Sequence, residues 1–348
     1  MNSSFLSVNR SIIILLLLPL AIHAQDSARH EKKISFTALP TFSYDRSKGA
    51  GFGLITMGFF KLGTGEATKL SCLNVSGQYT TEGNWYVNTI TQLYFAEDRY
   101  RLVAGAGYMN SNFQTYQNMA GEDAIEIPYN NHGVFVFLSP TIRVYDRLYV
   151  GIGGQMFHSH LEVDAGSVIT QTEWMNSLAA TAMYDSRDNT YTPSKGWKGV
   201  MRYNIFPEWL KNDSAFNKIH LEINNYVRLD KNKILASRFS SNMSLGNVPF
   251  VAQNYVGNKD IRGYTKGEYR GDQIYALQTE FRWNFYKRWG MVGFFGLAMT
   301  TNPTSSVLPG GGAGIRFMVL PKYRINAGID GAAGKDDWGI YFRITEAF

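Results

Sequence analysis

The sequence predicts an all-β fold: a transmembrane antiparallel β-barrel of about sixteen strands. Three observations carry this. From Lys33 onward, apolar and polar residues alternate with a period of two, in segments of about ten to fourteen residues that each end in a turn. Aromatic residues make up 14% of the chain and glycine occurs 34 times, a composition that suits strands better than helices. The segments number sixteen, an even count of the kind a closed bacterial barrel uses.

The first stretch reads as a processing signal. Arg10 precedes the apolar run Ile12–Ile22, and Ile22-His23-Ala24 allows a cut before Gln25. The run is too short to cross a bilayer as a helix. No cysteine follows the cut, so a lipid anchor is not expected. Residues 1–24 are thus a signal peptide, 25–33 a short periplasmic segment, and 34–348 the outer-membrane barrel. Loss of Arg10 lowers the formal net charge from +6 to +5, and the remaining bases are scattered, which argues against nucleic acid. The single Cys72 can form neither an intramolecular disulfide nor a metal cluster.

The expected strands begin with Ile34–Tyr44, Ala50–Lys61, Thr68–Thr80, Asn84–Phe95, Arg99–Met109, Gly133–Tyr145, Leu148–His158 and Thr172–Asp185. They continue with Gly196–Phe206, Ala215–Leu229, Lys233–Leu245, Asp272–Tyr286, Trp289–Met299, Pro309–Val319, Lys322–Gly331 and Asp337–Phe348. The alternation is clearest in Phe216–Leu229, where Ile219, Leu221, Ile223, Val227 and Leu229 share a face opposite Lys218, His220, Glu222, Asn224 and Arg228. The longest connections, Asn110–His132, Ser159–Gln171, Gly246–Gly271 and Thr300–Leu308, all follow odd-numbered strands. Most connections after even strands are short, so the long loops collect at one end, as extracellular loops do. Ser186–Lys195, after the eighth strand, is the exception.

Within the connection between the eleventh and twelfth strands, Asn254–Asp272 holds Tyr255, Ile261 and Tyr264, which argue for burial, beside Arg262 and Gly263. A loop this long is usually functional or disordered. A buried Arg262 needs a carboxylate, and Glu280 lies on the next strand, on the same face as Gln278, Arg282 and Asn284.

The motif Ile261-Arg262-Gly263-Tyr264 resembles the (Val/Ile)-Arg-Gly-(Phe/Tyr) signature of the BamA/TamA superfamily of outer-membrane barrels, the bacterial surface antigens. The resemblance implies that this loop folds into the lumen and that Arg262 meets Glu280 on the wall, as a lock. Asp185, Arg187, Asp188, Asn189, Pro193 and Gly196 are similar to the family's periplasmic Asp-x-Arg-Asp-x…Pro-x-x-Gly turn. Read locally, Asp188 and Asn189 cap turn amides, Pro193 fixes φ, and Gly196 permits a tight bend. Ile340, Phe342 and Ile344, alternating toward lipid before the final Phe348, resemble the terminal assembly signal, although Glu346 breaks the apolar register. The resemblance also implies a weak seam between first and last strands, where Pro40 lacks a ladder donor. One departure matters: the acid of the family's Phe-x-Asp pattern on strand thirteen falls at Gly296, which implies a weaker lock or other acceptors.

The family's assembly factors and transporters carry POTRA domains before the barrel, and 25–33 has room for none. The resemblance thus implies a barrel-only relative that assists insertion or translocation of proteins or lipid. Its partners would be outer-membrane lipid, nascent outer-membrane proteins and a separate periplasmic protein. The residues leave open a passive channel, because sixteen strands enclose a wide lumen. A surface protein presenting Asn110–His132, with Glu122, Asp123 and Glu126, is the other alternative. No enzyme and no cofactor are expected. His158-Ser159-His160 lacks a metal-binding set, Gly49–Gly53 and Gly310–Gly314 open no helix, and no Gly-x-Ser-x-Gly elbow occurs.

Overall fold

In the computed structural model the described residues are 34–348, apart from 46–47, 64, 66–67, 118–124, 165–167, 250–251, 258–259, 266 and 302–305. The expected signal peptide (1–24), the segment 25–33 and the acids Glu122 and Asp123 lie outside them.

Sixteen antiparallel strands form a closed barrel. They are β1 (Ile34–Asp45), β2 (Gly49–Phe60), β3 (Ser71–Thr80), β4 (Trp85–Phe95), β5 (Tyr100–Gln117), β6 (Ile125–Tyr145), β7 (Leu148–Asp164) and β8, which runs as Val168–Trp174 and Ser177–Asp185. The second half comprises β9 (Gly196–Phe206), β10 (Phe216–Asp230), β11 (Lys233–Gly246), β12 (Gln273–Tyr286), β13 (Trp289–Thr301), β14 (Ser306–Leu320), β15 (Ile325–Ala333) and β16 (Trp338–Ile344). Each strand pairs with its neighbours in sequence, and β16 returns to β1. The interruption in β8 is bridged from the β9–β10 connection: Asn176 donates its backbone N–H to Asn212 Oδ1 at 2.8 Å, and Asn212 Nδ2 donates to the Asn176 carbonyl at 2.9 Å.

The alternation has a direct cause in the barrel wall, where successive side chains face lipid and lumen in turn. Phe36, Leu54, Val75, Leu138, Ile152, Leu277 and Ile329 are exposed on the outside. Tyr100, Tyr145, Tyr184, Tyr286 and Trp289 mark one rim of this apolar belt, and Tyr79, Trp85, Tyr108 and Trp338 the other, the aromatic girdles of a membrane barrel. Inside, Glu280, Arg282, Arg316 and Asp330 are buried.

Two expectations need correction. The expected loops Asn110–His132 and Ser159–Gln171 are largely hairpin: β5 and β6 stay paired out to Gln117 opposite Ile125, and β7 pairs with the first part of β8 out to Asp164 opposite Val168. Polar residues there broke the apolar pattern, yet backbone pairing beyond the bilayer needs no lipid-facing side chains. The last strand also stops early, at Ile344 rather than Phe348. Thr345 has φ +70°, which takes the chain off the ladder. On the face of Ile340, Phe342 and Ile344, Glu346 would point toward lipid at high cost. Turned inward, it accepts instead from Arg316 Nε at 3.1 Å and Asn326 Nδ2 at 2.7 Å. Phe348 follows it into the lumen, beside the Arg282 and Arg238 guanidiniums.

Candidate functional site

The β11–β12 connection turns back into the barrel. Asn254 Nδ2 ties its start to Ser244 Oγ at 2.9 Å and to the Asp272 carbonyl at 2.8 Å. Val256, Ile261 and Tyr264 then pack on Ile274, Ala276, Ala298 and Leu308, inward residues of β12, β13 and β14. Gly263 has φ +102°, and a Cβ there would lie 2.5 Å from the Ala333 carbonyl carbon, so only glycine lets the loop approach β15 this closely. The Gly263 N–H donates to Tyr341 Oη at 3.1 Å, the Lys335 N–H to Tyr264 Oη at 3.0 Å, and the Thr265 N–H to Asp337.

Arg262 is buried below this anchor. Its guanidinium donates to Glu280, to Gln278 Oε1 at 3.0 Å and to Asp330 Oδ2 at 2.6 Å, and stacks 3.4 Å from the centre of the Phe294 ring. The ladder explains the assembly, since Glu280, Phe294 and Gly312 occupy one rung across β12, β13 and β14. Gly312 makes room for the ring, because a Cβ there would sit 2.7 Å from Phe294 Cζ. Further partners share the carboxylates: Arg282 bonds Glu280 at 2.9 Å, while Arg316 and Arg343 bond Asp330 at 2.5 and 2.6 Å. At position 296 no acid is present, and the second carboxylate comes from β15 as Asp330.

The Ser186–Lys195 turn crosses the opposite mouth of the barrel. Locally, Asp188 accepts from the Ser194 and Lys195 N–H groups at 2.8 and 3.1 Å, and Asn189 Oδ1 from those of Tyr191 and Thr192 at 2.8 and 2.9 Å. Gly196 has φ +107°, with room for no Cβ beside the Ser186 carbonyl, and Pro193 lies in the same turn. Burial disfavours the charged Asp188 carboxylate, but the Ser194 and Lys195 donors outweigh this and hold it below the usual carboxylate range. The turn also reaches beyond its own residues. Tyr191 Oη reaches the Leu70 carbonyl ahead of β3 at 3.0 Å, and Thr192 Oγ1 reaches the Arg324 carbonyl between β14 and β15 at 2.6 Å. Arg187 grips Asp185 at 2.9 Å, and Asp185 also accepts from Arg101 at 2.8 Å.

The seam between β1 and β16 is slight. Tyr44 faces Ile340 and Asp45 faces Gly339, and those two rungs are the whole pairing among the described residues. On its other edge β1 pairs with β2 along its full length, and Pro40 lies there opposite Leu54. Toward the turn end, β15 and β16 sit behind β1 and β2. Ile325 and Ile344 pack on the inward residues Met57 and Phe59, and Ser35 Oγ donates to Tyr323 Oη at 3.1 Å.

Most of this barrel has a counterpart among known domains. Residues 62–330 match the Omp85 superfamily domain. The chain belongs to the Omp85 superfamily. Three solved structures share its fold. BamA from Haemophilus ducreyi lacking POTRA domains 1-3 is 13% identical with a TM-score of 0.55, over 91% of this chain and 71% of that one. CdiB from Acinetobacter baumannii is 14% identical with a TM-score of 0.59, over 90% of this chain and 60% of its own. CdiB from Escherichia coli is 11% identical with a TM-score of 0.61, over 91% and 63%. This chain therefore spans about two thirds of their lengths. No curated protein sequence matches it significantly.

In this Omp85 barrel, sequence reasoning missed Asp330, Arg316, Arg343 and Asp337. Alternation alone could have flagged Asp330, an acid on the inward register of β15, but nothing local tied it to a loop 68 residues away. Of His158 and His160, only His160 comes near a third histidine among the described residues: its ring is 4.9 Å from that of His132, and its Nδ1 lies 3.0 Å from Thr172 Oγ1. His158 packs on Trp174 instead.

Proposed function

We infer that this Omp85 barrel works in an outer membrane, with its short turns in the periplasm, and assists proteins or lipid to insert into or cross the bilayer beside the β1–β16 seam. The observation that carries this reading is the seam itself, two rungs long, with the β16 end folded behind β1. Unpaired β1 backbone is a template for an incoming strand. Opening the remaining rungs breaks far fewer hydrogen bonds than opening any other strand pair. Pro40 adds one position that cannot donate to a ladder. Nascent outer-membrane proteins are the clients this edge would suit, and a separate periplasmic protein could deliver them.

A passive channel fits less well, because the Arg262 loop fills one side of the lumen and the Ser186–Lys195 turn crosses its mouth. The test is folding of a client barrel in proteoliposomes holding the full chain, with Tyr44→Cys/Ile340→Cys oxidised or reduced. The expected result is acceleration that oxidation abolishes and reductant restores. Acceleration indifferent to the cross-link would rule out the seam, and none at all beside steady ion conductance would favour the channel.

A further inference from the structure

Between the Arg262 loop and the wall formed by β4 to β11, the lumen keeps a cavity of about 610 Å³. Its lining holds six cations, Arg101, Arg187, Lys198, Arg202, Lys218 and Arg238, against two carboxylates, Glu222 and Asp260. Arg101 and Arg187 are matched by Asp98 and Asp185, which bond them and also hold Lys69 at 3.3 Å. Four cations then face two carboxylates, an excess of two positive charges. Lys198 and Arg238 share Glu222, at 3.5 and 2.7 Å. Arg202 and Lys218 have no carboxylate partner among the described residues: Arg202 Nε donates to Thr181 Oγ1 at 3.4 Å, and Lys218 Nζ to the Ala252 carbonyl.

The strand register brings Arg202 and Lys218 together. Arg202, His220 and Asn242 share a rung across β9, β10 and β11, with Lys218 on the next rung. Across the cavity the wall is apolar, with Ile90, Val103 and Phe137. Enclosed cations with spare donors attract a compact anion more strongly than the same cations in water. A group carrying about two negative charges and several acceptor oxygens, as a phosphate monoester does, matches both the charge excess and the donors. The apolar wall calls for an organic body on that phosphate.

We propose that this lumen cavity binds an organic phosphate monoester, with its phosphate on Arg202 and Lys218 and its apolar body against Val103 and Phe137. The site is independent of the seam, so it stands or falls apart from the insertion reading.

The test is calorimetric titration of the full chain in phosphatidylcholine nanodiscs with phenyl phosphate, inorganic phosphate and phenol. Saturable one-to-one binding of phenyl phosphate, tighter than either fragment, is expected. Lys218→Gln and Arg202→Gln should each weaken it by about tenfold, the loss of one charge-assisted hydrogen bond. Ser139→Phe, which narrows the cavity without altering a charge, should also weaken it, and guards against a charge variant that misfolds. If nanodiscs containing phosphatidic acid abolish the titration, the phosphate comes from a lipid headgroup; if they leave it intact, a soluble ester is the ligand. Equal affinity in all three variants, or affinity that tracks ionic strength alone, would overturn the proposal. So would an acidic peptide that binds the cavity while phenyl phosphate does not.

Discussion

Replacing Arg262 by alanine measures what holds the loop in the lumen. Two of its hydrogen bonds, to Glu280 and Asp330, are charge-assisted, and such bonds are worth about 1.5–3 kcal/mol each. Neither carboxylate is orphaned by the change, because Glu280 keeps Arg282 and Asp330 keeps Arg316 and Arg343. The loss therefore belongs near the low end, about 3 kcal/mol for the pair. At 1.4 kcal/mol per decade, that weakens loop docking by about 150-fold. The apolar anchor of Val256, Ile261 and Tyr264 survives, so the barrel should stay folded while the loop spends more time released. In planar bilayers the fraction of time in a large-conductance state should rise about a hundredfold, and proteolysis within 247–272 should quicken. An unchanged open fraction together with unchanged proteolysis, in a folded barrel, would refute the assignment of Arg262 as the lock.

Deleting Val256–Tyr269 removes lock and anchor together and should give a sustained conductance larger than that of Arg262→Ala; equal conductance would mean that the loop does not obstruct the lumen. Gly263→Ala must adopt φ +102° with its Cβ against Ala333, a strain of about 1–3 kcal/mol, so it should release the loop while every ion pair remains available. Normal proteolytic protection in that variant would contradict the close approach to β15. The Ser186–Lys195 turn should be sensitive to acid. Asp188 has its folded pKa depressed below the usual 3.8, so its stabilisation is complete above that value and is lost as pH falls through the lower, folded one. Amide exchange at Ser194 and Lys195 should accelerate in that acid window and be fast at neutral pH in Asp188→Asn; protection independent of both changes would remove Asp188 from the turn's support.

Sequence by itself determined the strands, because in a membrane barrel each residue must face lipid or lumen and the choice is written locally, at a period of two. Phe216–Leu229 shows this, and Glu346 carried a further signal as a charge on the lipid register. Arg262 and Glu280 were legible for the same reason, being 18 residues apart with only one turn of chain between loop and wall. Tertiary structure decided what depends on closure. Asp330 meets Arg262 only because β15 curves round to stand three strands from β12, a distance no local pattern encodes. Tyr191 meets Leu70 across the mouth, 121 residues away, for the same reason. The inward turn of Phe348, the shortness of the seam and the excess of positive charge in the cavity likewise arise from which faces the closed wall turns toward one another. Alternation tells a side chain to point inward, and only the curvature of the barrel says whom it will find there.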